Sequence, residues 1–122
     1  MKKRLIIACA AAVMSLAFTS CKPKQVYLPL YIWHDYNDAS YAYSKVPSEE
    51  TLAALMKVYE DMMNDQEGSL RQVPPPGMLA EYGYMLCKAG QKEKGLELLK
   101  KEIKVYPESE VFVSRIIKQL EK

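Results

Sequence analysis

The sequence predicts an all-α domain of about four to five helices, paired as hairpins, behind a cleaved N-terminal export segment. Two observations carry the fold class. Apolar residues recur at helical spacing in separate stretches within 52–63, 79–103 and 112–120, and glycine or proline punctuates the gaps between them. A third observation, the charged and then apolar start of the chain, sets the domain boundaries.

Lys2, Lys3 and Arg4 form a positive n-region, and residues 5–18 are a continuous run of apolar and small side chains. A membrane-spanning helix needs about 20 apolar residues to cross roughly 30 Å of hydrocarbon, and this run stops sooner, in Thr19, Ser20, Cys21, Lys22 and Pro23. It reads as a leader for export rather than a span. Phe18-Thr19-Ser20-Cys21 resembles a lipobox, the bacterial lipoprotein signal, with Phe18 where leucine is usual. The resemblance implies that Cys21 receives diacylglycerol on its thiol and becomes the first residue after cleavage. Each buried methylene contributes about 0.8 kcal/mol, and two acyl chains suffice for stable anchoring.

The expected organisation is therefore a leader over 1–20, an acylated Cys21 with an extended tether over 21–30, and one helical-repeat domain over 31–122. Of the 17 basic residues, Lys2, Lys3 and Arg4 leave with the leader, so 14 face 15 acidic ones and the apparent basic character gives no case for nucleic acid. A domain of this length buries about 60–70% of its unfolded surface around one small core. With Cys9 in the leader and Cys21 acylated, Cys87 has no partner for an internal disulfide, so packing must hold the fold.

Taken in order, residues 22–30 (KPKQVYLPL) have two prolines and no helical period, as a tether should. Tyr31, Trp33, Tyr36, Tyr41 and Tyr43 then cluster within thirteen positions, and Asn37 or Asp38 is placed to cap a short helix over 39–45 that Val46-Pro47 ends. Ser48 caps the next helix, Glu49 and Glu50 suit its positive end, and Leu52, Leu55, Met56, Tyr59, Met62 and Met63 form its buried stripe up to a fraying end near Gly68. The proline run before Gly77 is expected to start the third helix at its first position. A last helix over about 108–120 carries Phe112, Val113, Ile116, Ile117 and Leu120 and caps the array.

Residues 76–107 resemble one tetratricopeptide repeat, a helix-turn-helix unit of about 34 residues. Counting from Pro76, Leu79 takes the usual Trp place, Tyr82 the Leu place, Gly83 the small place, Leu86 the Tyr place and Gly90 the turn. Gly95 stands for the usual Ala, Leu99 and Pro107 complete the pattern, and Glu102 departs from an expected Ala. Leu96, Leu99 and Ile103 line one side of the second helix. Tyr41-Ala42-Tyr43 and Ala54-Leu55 reappear 41 positions later as Tyr82-Gly83-Tyr84 and Gly95-Leu96, a degenerate repeat of the first helix pair. In this architecture first helices line a groove, which the register builds from Ala80, Tyr84, Cys87 and Lys88, with Tyr43 in the equivalent place of the first pair.

No catalytic constellation is visible. His34 is the only histidine, so neither a second imidazole for a triad nor a His-rich zinc site is available. His34, Asp35 and Asp38 read as a solvated or capping cluster before they read as metal ligands, Cys87 beside Lys88 as a buried inert thiol before a reactive one, and the methionines as core filler. The expectation is a non-enzymatic protein with no metal, cofactor or small-molecule substrate. Tyr and Trp are favoured at binding surfaces, so Tyr31, Trp33, Tyr36, Tyr43, Tyr84 and Lys88 are the candidate partner-binding residues. The competing reading is that most of the aromatic residues close the core at its N-terminal edge.

Leu30-Tyr31-Ile32-Trp33, Tyr36-Asn37-Asp38, Ser40-Tyr41-Ala42-Tyr43, Leu52-Ala53-Ala54-Leu55, Pro75-Pro76-Gly77, Ala80-Glu81-Tyr82-Gly83-Tyr84 and Tyr106-Pro107-Glu108-Ser109 together resemble a family of small bacterial lipoproteins of unknown function, with Asn37 for a more usual acidic residue. Members are typically encoded beside a lipoprotein similar to the curli secretion channel and another small lipoprotein. The resemblance thus implies a shared envelope assembly, with a curli-secretion-channel-like lipoprotein as the expected partner, and Lys22 after Cys21, with no acidic run following, is compatible with sorting to the outer membrane, facing the periplasm. It implies no activity. A scaffold subunit that stabilises such a complex is the alternative to an interaction module.

Overall fold

A computed structural model describes residues 26–122. Within them the chain forms five α-helices, α1 (Tyr36–Lys45), α2 (Glu49–Asn64), α3 (Met78–Lys88), α4 (Lys92–Val105) and α5 (Glu110–Leu120), and a 3-10 turn at Pro107–Ser109. There is no strand among the described residues, so the all-α expectation holds. The leader, Cys21 and the first half of the expected tether lie outside the described residues.

The centre of the molecule is the antiparallel pair α3 and α4. Two glycines let them touch: a methyl group on Gly83 would stand 2.6 Å from the Gly95 carbonyl oxygen, and one on Gly95 would collide with the Gly83 carbonyl and Cys87 Sγ. At the turn between them Gly90 adopts φ 88°, and the Gln91 N–H reaches back to the Leu86 carbonyl at 2.9 Å, a Schellman-type closure. On one side of this pair, α2 buries Leu55, Val58, Tyr59 and Met62 against Met78, Leu79, Tyr82 and Leu86 of α3. Tyr36, Ala39 and Tyr43 of α1 cover that cluster. On the other side Val113 of α5 packs with Leu99 and Ala80, flanked by Ile103, Ile116 and Ile117.

Several boundaries differ from the sequence expectation, each for a tertiary reason. Helix α1 starts at Tyr36, three residues before the expected 39, with Asp35 at the cap position and no side-chain cap from Asn37 or Asp38. Its first turn is held because Tyr36 packs between Trp33 and Tyr59. Ser48 does cap α2, and Thr51 returns a bond to the Ser48 N–H at 3.0 Å, so the capping box closes with threonine where Glu or Gln is usual. The helix ends at Asn64 rather than near Gly68, because the Gln66 amide donates to the Met62 carbonyl at 3.0 Å. Gly68 instead serves a turn beyond it, at φ 88°.

The proline run does not open α3. The helix begins at Met78 after Gly77, whose φ of 87° and missing side chain leave the end without a local cap. Glu102 of α4 supplies one from outside, accepting the Gly77 N–H at 2.7 Å. In α5 the expected stripe is narrower than its five members. Val113 is buried, whereas Phe112, about 100° around the helix from it, is 67% exposed. The 41-residue offset also fails as a guide to burial, since Tyr82 is 1% exposed and Tyr41 is 63% exposed.

Two outcomes test this packing. Tyr59 is fully buried, its hydroxyl facing Tyr36 and Glu81 without a well-formed hydrogen bond, and burial first, then the Glu81 charge, pushes its pKa far up. Tyr59→Phe is expected to hold or raise stability in urea denaturation, since it removes an unpaired buried group, whereas Tyr59→Ala costs about 3–5 kcal/mol. A loss as large for Phe as for Ala would show that the hydroxyl has a partner. Gln66→Ala removes the side chain's bonds to Ile32 and Met62 and should cost about 1–3 kcal/mol. Amide exchange at Ile32 should accelerate well before the global rate changes; equal acceleration everywhere would contradict a local clamp.

Candidate functional site

The N-terminal aromatic edge is built on a side chain that sequence reasoning passed over. Gln66 is buried, and its amide grips the backbone of Ile32 from both sides: Oε1 accepts the Ile32 N–H at 3.0 Å and Nε2 donates to the Ile32 carbonyl at 2.7 Å. Upstream, the Leu70 and Arg71 N–H groups donate to the Pro29 and Leu30 carbonyls at 2.9 and 3.3 Å. The segment is thus fastened to the loop after α2 through its backbone.

From this anchorage a chain of rings runs into the core. Tyr31 meets Trp33 edge-on with centroids 6.5 Å apart, Trp33 meets Tyr36 at 5.7 Å, Tyr36 meets Tyr59 at 5.9 Å, and Tyr59 stacks on Tyr82 at 5.3 Å. Such pairs add about 0.5–1.5 kcal/mol each beyond area burial. The cluster therefore divides between core and surface. Tyr36 is half-buried and donates to Glu81 Oε2 at 2.9 Å, while Trp33 stays 46% exposed beside a cleft of about 250 Å³ that it shares with Tyr36, Pro76 and Glu81. Tyr31 lies 3.5 Å from the Tyr106 hydroxyl, which itself donates to the Pro74 carbonyl at 2.6 Å.

His34 pairs with Asp65, outside its own acidic cluster. Its Nε2 lies 3.1 Å from the Asp65 carbonyl and 3.8 Å from the Asp65 carboxylate, with its own φ at 46°. Among the described residues no three His, Cys, Asp or Glu side chains stand together as metal ligands.

The second candidate face joins the two hairpins. Tyr43 of α1 and Tyr84 and Lys88 of α3 line a cleft of about 320 Å³ with Leu52, Met85 and Ala89. Lys88 Nζ lies over the Tyr84 ring at 5.8 Å, a cation–π contact that holds the exposed ring in place. Cys87 does not belong to this groove. It faces α4, where its Sγ approaches Gly95 and donates weakly to the Lys92 carbonyl at 3.6 Å. Burial raises its pKa, and the opposing cation is Lys92 rather than Lys88.

Two features were missed altogether. Glu60 accepts the Tyr82 hydroxyl at 2.9 Å and pairs with Lys94 at 3.7 Å, so α2, α3 and α4 are tied at one point on the surface. Behind Tyr84, between α3 and α5, lies a larger cavity of about 470 Å³ whose walls include Ala80, Tyr84, Phe112, Val113 and the buried Glu102. Its one sequence signal was Glu102 in a place where alanine was expected.

Neither the curated proteins nor the solved structures contain a match to this chain. A family model described as Domain of unknown function (DUF4810) matches residues 30–116, from the docked start of the aromatic edge to the second turn of α5. The match takes in both helix pairs and every candidate residue except Cys21, and the chain belongs to this family of domains of unknown function.

Proposed function

We propose that the protein is a non-enzymatic interaction module, tethered to the bacterial outer membrane by lipid on Cys21 and facing the periplasm. The observation that carries the reading is the cleft between the hairpins. Tyr43 and Tyr84, two large rings on the first helices of successive helix pairs, converge on one open apolar site with a lysine at its rim. A rigid scaffold presenting exposed Tyr beside a cation suits recognition of a protein surface or peptide. This placement also supports a tetratricopeptide-like arrangement, in which first helices form the recognition surface. The exposed Trp33 edge extends the area available to a partner. The partner we infer is an envelope protein of the curli-secretion-channel-like lipoprotein class.

The alternative occupant of the same reading is a scaffold role, in which the domain stabilises a lipoprotein complex without recognising a separate client. One experiment separates them. Native protein is crosslinked and purified from membranes, beside Cys21→Ala and the pair Tyr84→Ala with Lys88→Ala, and the processed N-terminus is read by mass spectrometry. Acyl mass on Cys21, membrane release of Cys21→Ala, and loss of a client from the double variant while the complex survives are the expected results. Dissociation of the whole complex in the double variant favours the scaffold. An unmodified N-terminus, or no envelope protein recovered with the wild type, overturns the proposal.

A further inference from the structure

The cap on α3 does not account for the whole of Glu102. The residue is 1% exposed; Oε1 takes the Gly77 N–H, and Oε2 makes no hydrogen bond. Burial raises its pKa, opposed by the N–H groups of Gly77, Ala80 and Leu79 and reinforced by the Glu108 charge. Burying a carboxylate here is costly even with the N–H groups of α3 facing it, because they compensate only part of the lost hydration and no cation stands beside it. A small residue at this packing position would carry no such cost. Stability is commonly sacrificed in this way where a site needs the group.

The cavity that Glu102 shares has the size of a small-ligand site, which typically runs from about 300 to 1,000 Å³. At about 470 Å³ it is walled on its apolar side by Ala80, Tyr84, Phe112, Val113 and Ile116. Its charged wall residues are Glu81, Glu102 and Glu108, with no Lys, Arg or His among them. Glu81 already accepts a hydrogen bond from Tyr36, which leaves Glu102 Oε2 and Glu108 as the uncommitted negative groups. A neutral apolar ligand would leave both carboxylates without a counter-ion, and an anion would be repelled. A cation with an apolar body satisfies both walls.

We propose that the cavity between α3 and α5 binds an organic cation, an ammonium or guanidinium group on an apolar stem, with the stem against Phe112 and Val113 and the charge held by Glu102 and Glu108. The same chemistry is offered by a free small amine and by a basic side chain of another protein. The proposal stands on this cavity alone and does not require the lipid anchor or the Tyr43–Tyr84 cleft.

The test is an amide-shift titration of the full ¹⁵N-labelled chain with benzylamine, its neutral counterpart benzyl alcohol, and acetyl-Phe-Lys-amide. Benzylamine is expected to give saturable shifts at Gly77, Ala80 and Val113 with Kd of about millimolar order, as its few heavy atoms allow, and benzyl alcohol to bind about tenfold more weakly. Glu102→Gln keeps an acceptor for Gly77 and should weaken benzylamine about tenfold without affecting the alcohol. Should Glu102→Gln fold poorly, Glu108→Gln is the second test, with a loss in the same direction, and Ala80→Leu should abolish binding of both probes by filling the space. Tighter binding of the dipeptide than of benzylamine assigns the site to a protein side chain, and the reverse assigns it to a free amine. Equal binding of amine and alcohol, unchanged binding in both glutamine variants, or absence of localised shifts overturns the proposal.

Discussion

The close contact of α3 and α4 at Gly83 and Gly95 is the constraint on which the other features rest. There is no space for a methyl group on either residue, so the two backbones approach to a distance that other side chains would forbid. That approach brings Glu102 of α4 within reach of the N-terminus of α3 and places Leu98 and Leu99 on opposite sides of the seam. Leu98 joins the core shared with α2, and Leu99 joins the one shared with α5. One tight pair thereby organises both flanking layers.

A second organising element is polar. Gln66 and Glu102 are buried, and each uses its side chain to complete backbone hydrogen bonding that local structure leaves open. Gln66 ends α2 and fastens Ile32, so the exposed Trp33 and half-buried Tyr31 and Tyr36 are presented from a fixed backbone. Glu102 substitutes for the side chain that Gly77 lacks. The difference between them is satisfaction. Both functional ends of the Gln66 amide are occupied, whereas one oxygen of Glu102 lacks a well-formed hydrogen bond, and Glu102 contributes to the wall of the largest cavity described above.

The candidate surfaces are arranged around Tyr84. Its ring lies in the walls of both the cleft toward α1 and the cavity toward α5. A ligand on one side and a partner on the other would meet the same side chain, and Lys88 over that ring limits how far it can turn. The aromatic chain from Trp33 to Tyr82 offers a physical link from the N-terminal edge to the core behind this site.

Much of the fold was legible locally. Helical periodicity located α2 through α5, Ser48 marked the start of α2, and Gly83, Gly90 and Gly95 marked the turn and close packing of the central pair, because these signals depend on neighbours within a few residues. The resemblance to a tetratricopeptide register put Tyr43, Tyr84 and Lys88 on one face, together with Ala80 and Cys87, which do not line the cleft toward α1. What tertiary structure decided were the features made by residues far apart in the chain. Gln66, 34 positions from Ile32, stopped α2 early. Glu102, 25 positions from Gly77, capped α3 where a proline was expected to begin it. Phe112 was left outside while Val113 went in, since the direction from which α4 covers α5 is not encoded in the period of α5 itself. A periodic pattern specifies that a face is buried; only the neighbouring helices determine how wide that face is and which polar groups must serve it.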